Sequence, residues 1–97
     1  MSVKYELMVV YSVKNGEEAA EELSQKFKTM IEENGTLVGE VDTWGKRKLA
    51  YLINDEEDGY YVLFNFESEP EFPAELERVL RITDGVLRSL VVKKEEV

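Results

Sequence analysis

Carboxylates are the most numerous groups in this chain that could do chemistry. The sequence has 21 Asp and Glu against 12 Lys and Arg in 97 residues, and it has no His and no Cys. An imidazole base, a thiolate nucleophile and a zinc site built on His or Cys are therefore excluded. The acids stand in runs at residues 17–22 and 55–58, which are typical of solvated helix faces and hairpin tips. We therefore expect no enzymatic activity, no metal site, no cofactor and no small-molecule substrate.

Basic side chains form two clusters in a chain whose net charge is −9. Residues 44–54 carry +3 and residues 78–94 carry +4, whereas residues 55–71 hold seven acids and no base. Trp44 and Tyr51 flank the first cluster, and basic groups beside aromatic rings suit phosphate contacts with base stacking. Lysines on an edge strand also discourage pairing with other chains. The sequence pattern alone therefore does not decide between phosphate contacts and protection of a strand edge. The basic residues of the first cluster are Lys46, Arg47 and Lys48.

The first third of the chain is predicted to form a strand followed by a helix. Every second residue over 3–13 is apolar, which predicts a strand with one fully apolar face. Asn15-Gly16 is a turn signal, and Asn34-Gly35 supplies a left-handed stop for the helix between them. The apolar stripe of that helix, spaced by three and four residues, is Ala20, Leu23, Phe27, Met30 and Ile31.

The rest of the chain is predicted to form two strands, a helix and a last strand. A bulge is expected near Thr43-Trp44-Gly45, and Pro73 suits the first turn of the second helix. The last strand is apolar in both of its alternating sets, so its buried face stays ambiguous. The predicted segments are a long strand over 36–53, an acidic hairpin loop over 54–59, a strand over 60–67, a helix with Leu76, Val79 and Leu80 buried, an Asp84-Gly85 turn and a strand over 86–93.

The element order is β-α-β-β-α-β, which predicts an α+β, ferredoxin-like fold as a single domain over residues 1–97. Its four-stranded antiparallel sheet carries both helices on one face, with the second and fourth strands at the edges. No run approaches the ~18 apolar residues of a membrane span, and residues 1–13 do not resemble a signal peptide. We expect a cytoplasmic protein with no membrane partner.

The sheet face away from the helices is predicted to be too apolar for a free surface. We expect it to be a partner surface, although a contact between two copies of the chain would also explain it. Its predicted members are Glu6, Met8, Val10, Tyr61 and Leu63.

Three segments, taken in order, resemble the bacterial small-subunit ribosomal protein six family. They span nearly the whole chain, so the resemblance is much more specific than a single short motif. The segments are Lys4-Tyr5-Glu6; Trp44-Gly45-Lys46-Arg47-Lys48-Leu49-Ala50-Tyr51-Leu52-Ile53 with Asp58-Gly59-Tyr60-Tyr61; and Leu80-Arg81-Ile82-Thr83-Asp84-Gly85-Val86-Leu87-Arg88 with Leu90-Val91-Val92-Lys93.

The resemblance implies a structural, non-catalytic protein of the small ribosomal subunit. It implies binding to the central domain of 16S rRNA as a heterodimer with ribosomal protein eighteen of the small subunit, and a ribosome-associated place in the cytoplasm. We expect a few basic side chains to touch rRNA phosphates while a basic partner supplies the remaining charge. The expected rRNA-binding residues are Lys4, Lys46, Arg47, Lys48, Arg81, Arg88 and Lys93.

An RNA-recognition-motif-like domain that binds single-stranded RNA is the alternative, because it shares the β-α-β-β-α-β order. Residues 59–64 weakly resemble the aromatic third strand of that domain. Asp58, however, replaces the basic residue of that motif, and Tyr61 occupies a small-residue position. A small-molecule regulatory module on the same fold is a third class, for which the sequence offers no positive sign.

Overall fold

Two helices packed on one face of a five-stranded antiparallel sheet make up the part of the chain that the computed structural model describes, residues 3–94. Met1, Ser2 and the acidic end Glu95-Glu96-Val97 lie outside the described residues. The predicted ferredoxin-like fold is confirmed, with its second strand divided in two. The elements are β1 (Val3–Ser12), α1 (Glu17–Asn34), β2 (Gly35–Leu37), β3 (Asp42–Ile53), β4 (Glu56–Ser68), α2 (Phe72–Ile82) and β5 (Val86–Lys93).

The core lies between the helices and one face of the two central strands. β1 and β4 pair along nearly their whole length, so alternate residues of both strands face the helices. β5 lies beside β1 at one edge of the sheet, and β2 and β3 lie beside β4 at the other, which confirms the predicted edges. The main buried side chains are Tyr5, Leu7, Val9 and Tyr11 of β1, Tyr60, Val62, Phe64 and Phe66 of β4, Ala20, Phe27 and Ile31 of α1, and Leu76 and Leu80 of α2.

The second predicted strand is in fact two short strands that pair with β4 one after the other. The prediction of one strand over residues 36–53 is wrong at residues 38–41. Gly39 has a φ of 74°, a left-handed conformation that glycine adopts readily, and it turns the chain away from the sheet. The Val38 N–H still donates to the Asn65 carbonyl oxygen at 2.7 Å, so the break is short.

A bulge and a two-residue turn shape the β3–β4 hairpin. The predicted bulge near Thr43-Trp44-Gly45 is confirmed, because the register shifts between Thr43 and Gly45 and Gly45 has a φ of 77°. The hairpin itself turns on Asn54 and Asp55, whose φ values of 50° and 65° suit a two-residue turn. The acidic loop predicted over residues 54–59 is therefore too long, since β4 already begins at Glu56.

The predicted left-handed stop at Asn34-Gly35 is wrong. Gly35 has a φ of −173°, which is extended backbone, and the chain passes directly from α1 into β2. A side chain at this position would overlap the carbonyl oxygen of Glu67 on the neighbouring strand. The glycine is therefore explained by a close approach between two strands, and not by a turn.

Tyr11 is the most deeply buried of the three tyrosines in the core, Tyr5, Tyr11 and Tyr60. Its ring stacks on Phe27 with centroids 6.4 Å apart. Ser24 lies near its hydroxyl, but within residues 3–94 no hydrogen bond of good geometry satisfies that group. Burial raises the pKa of this hydroxyl above its ordinary value of 10.0. Unfolding lets it ionise, so its contribution to stability is lost as the pH rises above about 10.

We expect Tyr11→Phe to leave the free energy of unfolding unchanged at pH 7 or to raise it by about 1 kcal/mol, because it removes an unsatisfied buried hydroxyl. The variant should also lose less stability than the parent chain above pH 10, as measured by urea unfolding. Phe27→Tyr, which adds a second buried hydroxyl, is the opposite change and should destabilise. A loss of more than about 1 kcal/mol in Tyr11→Phe would show that the hydroxyl is well satisfied.

Candidate protein and nucleic-acid interface

The face of the sheet away from the helices, called the open face below, gathers all five residues predicted for a partner surface. In the register of β1 with β4, Met8 pairs with Leu63 and Val10 pairs with Tyr61. Glu6 lies on the same face, beside Asn65. Their neighbours at odd positions of β1 face the helices, so the alternation separates the two faces cleanly.

An apolar groove of about 230 Å³ runs across the open face. Residues 49–52 of β3 form one wall, because they bulge out of the pairing with β4 between Lys48 and Ile53. Leu49 is buried there against Val10 and Gly59. The groove is lined by Met8, Val10, Leu49, Ala50, Tyr51, Ile53, Tyr61, Arg88, Ser89 and Leu90.

Gly59 makes this arrangement possible. A Cβ atom there would overlap the Val10 side chain and lie 3.1 Å from Leu49 Cδ2. Val10 is consequently only 5% exposed, so it forms the floor of the groove and offers little surface to a partner. The sequence placed Val10 on the correct face but could not show that Leu49 covers it.

Two aromatic contacts extend the apolar surface. Trp44 stacks on Tyr61 with ring centroids 6.2 Å apart, so one side of the Tyr61 ring is already covered. Tyr51 reaches across the sheet to β5, where the Arg88 guanidinium lies 5.3 Å from the centre of its ring. Sequence reasoning missed several members of this face, namely Trp44, Leu49, Tyr51, Leu90 and Val92.

The double apolar pattern of β5 has a geometric cause. The register of β5 with β1 shifts near Leu87, between the pairs formed by Val86 and Arg88. Val86 and Val91 pack against the core, while Leu90 and Val92 are exposed on the open face. The strand is apolar on both sides because one side meets the helices and the other extends the open face.

Ion pairs occupy the far end of the open face. Lys4 Nζ lies 3.8 Å from Glu67 Oε1, and Lys94 Nζ lies 3.4 Å from Glu6 Oε2. Lys94 also donates to Asn65 Oδ1 at 2.7 Å. The predicted partner residue Glu6 and the predicted RNA contact Lys4 therefore both have an ionic neighbour within the chain.

The seven basic residues predicted to contact RNA do not form one patch. Lys46 pairs with Tyr60, which faces the core, so Lys46 and Lys48 share the helix side of β3, opposite Leu49, as predicted. Arg81 and Arg88 both line the cleft between α2 and β5. The seven lie as follows: Lys46 and Lys48 on the helix side at the β3 edge, Lys93 on the helix side at the β5 edge, Lys4, Arg47 and Arg88 on the open side, and Arg81 on α2.

The electrostatics of the described residues show one other specific pair, on α2. The Arg78 guanidinium donates to Glu75 at 2.6 and 3.1 Å, and it holds the pKa of that carboxyl below its ordinary value. No group of acids within residues 3–94 is arranged to hold a metal ion. No helix in the same range is long and apolar enough to cross a membrane.

Comparison with known proteins decides the family. A family model described as Ribosomal protein S6 matches residues 4–93. The chain belongs to the ribosomal protein S6 family. It is 51% identical over 92 residues to small ribosomal subunit protein bS6 of Clostridium novyi (strain NT), covering 95% of this chain and 97% of that protein.

Further members of the ribosomal protein S6 family agree in sequence and in fold. The bS6 protein of Thermoanaerobacter pseudethanolicus is 50% identical over 92 residues, with 95% of this chain and 97% of that protein covered. The crystal structure of 30S ribosomal protein S6 from Thermotoga maritima superposes with a TM-score of 0.88 at 29% identity, covering 97% of this chain and 89% of that one. The resemblance seen in the sequence is confirmed, and with it the assignment as a ribosome-associated protein of the small subunit.

The groove generates a prediction about Gly59. We expect Gly59→Ala to lower the free energy of unfolding by about 1–3 kcal/mol, because the new methyl group overlaps Val10 and crowds Leu49. Urea unfolding measures the loss. A second substitution, Val10→Ala, makes room for the methyl group, so the double variant should lose less than the sum of the single losses. Strict additivity of the two losses would show that Val10 and Gly59 do not pack together.

Proposed function

We propose that this member of the ribosomal protein S6 family binds the central domain of 16S rRNA as a heterodimer with ribosomal protein eighteen of the small subunit. Its role there is structural and non-catalytic, and residues 1–97 act as one domain. The open face takes the protein partner, and basic side chains at the sheet edges and on α2 contact rRNA phosphates. These include Arg81, Arg88, Lys46 and Lys48.

The apolar open face is the observation that carries this proposal. The helices cover only the other face of the sheet, so nothing within residues 3–94 covers the groove or the exposed Leu90 and Val92 beside it. Apolar surface of this extent on a small protein marks an interaction site. The curved wall formed by β3 gives the surface a definite shape, and shape complementarity is what a specific partner requires.

Charge explains why the partner and the RNA are needed together. At −9, the chain repels RNA over most of its surface and attracts a basic protein. The candidate phosphate contacts are few and lie at separate places. A basic partner seated on the open face lies between the β3 and β5 edges, so it adds positive charge next to the basic side chains at those edges.

The first test measures binding of the chain to a 16S central-domain RNA fragment, with and without the partner protein, at two salt concentrations. We expect tight binding only when the partner is present. Each phosphate contact should contribute about 0.7–0.9 to the slope of log K against log salt, because binding releases counterions. An RNA of the same length with an unrelated sequence is the control.

Tight binding of the chain alone to single-stranded RNA would favour the RNA-recognition-motif-like alternative. In that case Tyr61→Ala should cost about 1–3 kcal/mol of RNA binding through lost stacking. The proposed function predicts a smaller effect on RNA, since Trp44 already covers one side of the Tyr61 ring. Absence of RNA binding in every combination would contradict the proposal.

The second test examines the open face with a matched pair of variants. Leu90 on the open face is 60% exposed, and Ile82 on α2 is 69% exposed, so both positions accept a charge without disturbing the core. We expect Leu90→Asp to weaken binding of the protein partner, measured without RNA by calorimetry, by tenfold or more, an estimate of about 1.4 kcal/mol or more. Ile82→Asp, with the same change in charge, should leave partner affinity unchanged. Equal effects of the two variants would place the partner elsewhere.

A further inference from the structure

Two Asn–Gly pairs stand at the two ends of α1, Asn15-Gly16 before the helix and Asn34-Gly35 after it. In such a pair the backbone nitrogen of the glycine can attack the side-chain carbonyl carbon of the asparagine, because glycine has no Cβ atom to hinder the approach. The attack requires an asparagine side chain that is free to turn and a glycine nitrogen that is accessible. The fold gives the two pairs different surroundings, so one chain contains both the site and its comparison.

The first pair lies in the open. Asn15 and Gly16 are both exposed, in the turn between β1 and α1. Within residues 3–94 no hydrogen bond holds the Asn15 side chain. Gly16 has a φ of 93°, and a Cβ atom built on it would meet nothing within 4 Å, so the space beside its backbone is empty. One restraint acts on the nitrogen, because the Gly16 N–H donates to the Val13 carbonyl oxygen at 2.9 Å.

The second pair is held on every side. Asn34 belongs to the last turn of α1, and its Nδ2 donates to the Met30 carbonyl oxygen at 2.9 Å. Gly35 begins β2 and pairs with Ser68 of β4, close to the carbonyl oxygen of Glu67. Attack at this pair requires the side-chain hydrogen bond, the end of the helix and the start of β2 to open together.

We propose that Asn15 is a site of spontaneous deamidation in the folded chain, and that Asn34 is protected although the dipeptide is the same. The Gly16 nitrogen forms a bond to Cγ of Asn15 while the bond from Cγ to Nδ2 breaks. The side-chain nitrogen leaves as ammonia and takes the proton of the Gly16 N–H. Water then opens the resulting succinimide ring at either of its carbonyl carbons, which yields aspartate or isoaspartate at residue 15 without oxidation or reduction.

The hydrogen bond from Gly16 to Val13 slows this reaction without preventing it. Breaking one exposed hydrogen bond in a turn lowers the reactive population by about two- to tenfold. At Asn34 the side-chain bond and the pairing of Gly35 must also be broken, and the costs of opening multiply. We therefore expect the reaction at Asn34 to be slower than at Asn15 by about tenfold or more.

The products differ from the parent chain in charge and in length. Each event adds one negative charge next to Glu17 and Glu18 in the first turn of α1. In isoaspartate the main chain also runs through Cβ, so the turn between β1 and α1 becomes longer by one methylene group. The added charge separates the reacted chain from the parent by isoelectric focusing.

The experiment incubates the full chain at mildly alkaline pH, well below its unfolding temperature. Chymotrypsin cleaves after large apolar residues and so places the two asparagines in separate peptides, residues 12–23 and 28–37. Mass spectrometry then measures the fraction of each amide that has become a carboxyl group. A sample digested without incubation gives the starting level. We expect Asn15 to react about tenfold or more faster than Asn34, and the two rates to agree within about twofold in guanidinium chloride, where neither pair is structured.

A matched pair of variants tests the assignment on the intact chain. Asn15→Gln lengthens the side chain by one methylene group, so the glycine nitrogen no longer closes the favourable five-membered ring. This variant should lose most of the acidic species that the parent chain forms on incubation. Asn34→Gln makes the same change at the protected pair and should form the acidic species as fast as the parent.

Two results would overturn the inference. Equal reaction of the two asparagines in the folded chain would show that their surroundings do not control the chemistry. An unreacted Asn15 under conditions in which the denatured chain reacts would show that the turn and its hydrogen bond to Val13 protect the site. Neither result involves RNA or a protein partner, so this inference stands or fails separately from the proposed function.

Discussion

The architecture depends on a sheet that is apolar on both faces while helices cover only one of them. β1 and β4 form the middle of this sheet, and their residues alternate between a core closed by α1 and α2 and an open face. The helix side is filled by aromatic and branched side chains, which supplies the burial that a small domain needs. The open side keeps its apolar residues in a groove shaped by the chain itself. Because the helices and the core occupy one face of the sheet, the ordered apolar surface of the other face remains available to another molecule.

The groove depends on a glycine and on the course of one strand. β3 pairs with β4 up to Lys48 and again at Ile53, and between these positions it bulges onto the open face, where Leu49 lies beside Val10 and Gly59. The bulge at Gly45 adds twist to the strand just before this region. The same segment carries Lys46 and Lys48 on its helix side, so one strand separates basic residues from the apolar wall of the groove.

Local patterns predicted most of the fold, and contacts between distant residues account for what they missed. Alternation placed Met8, Tyr61 and Leu63 on one face, and helical spacing identified Phe27, Ile31, Leu76 and Leu80 as core residues. The break at residues 38–41 was missed because Val38 and Val41 are residues that favour a strand, while Gly39 turns the backbone. The contact between Tyr51 and Arg88 was missed because it joins opposite edges of the sheet, and no local sequence pattern around either residue predicts it. The seven basic residues were predicted from charge clusters along the chain and from the family resemblance, but β-sheet register distributes them over separate surfaces.

Arg88 connects the two edges of the sheet, because its guanidinium lies over the Tyr51 ring beside the apolar groove. A molecule that binds in the groove and favours this arrangement strengthens the contact between the guanidinium and the ring. Linkage requires the reverse effect to have the same size, so a chain that already holds the guanidinium on the ring binds that molecule more tightly by the same amount. One contact between opposite edges of the sheet can therefore organise the groove without movement of the backbone.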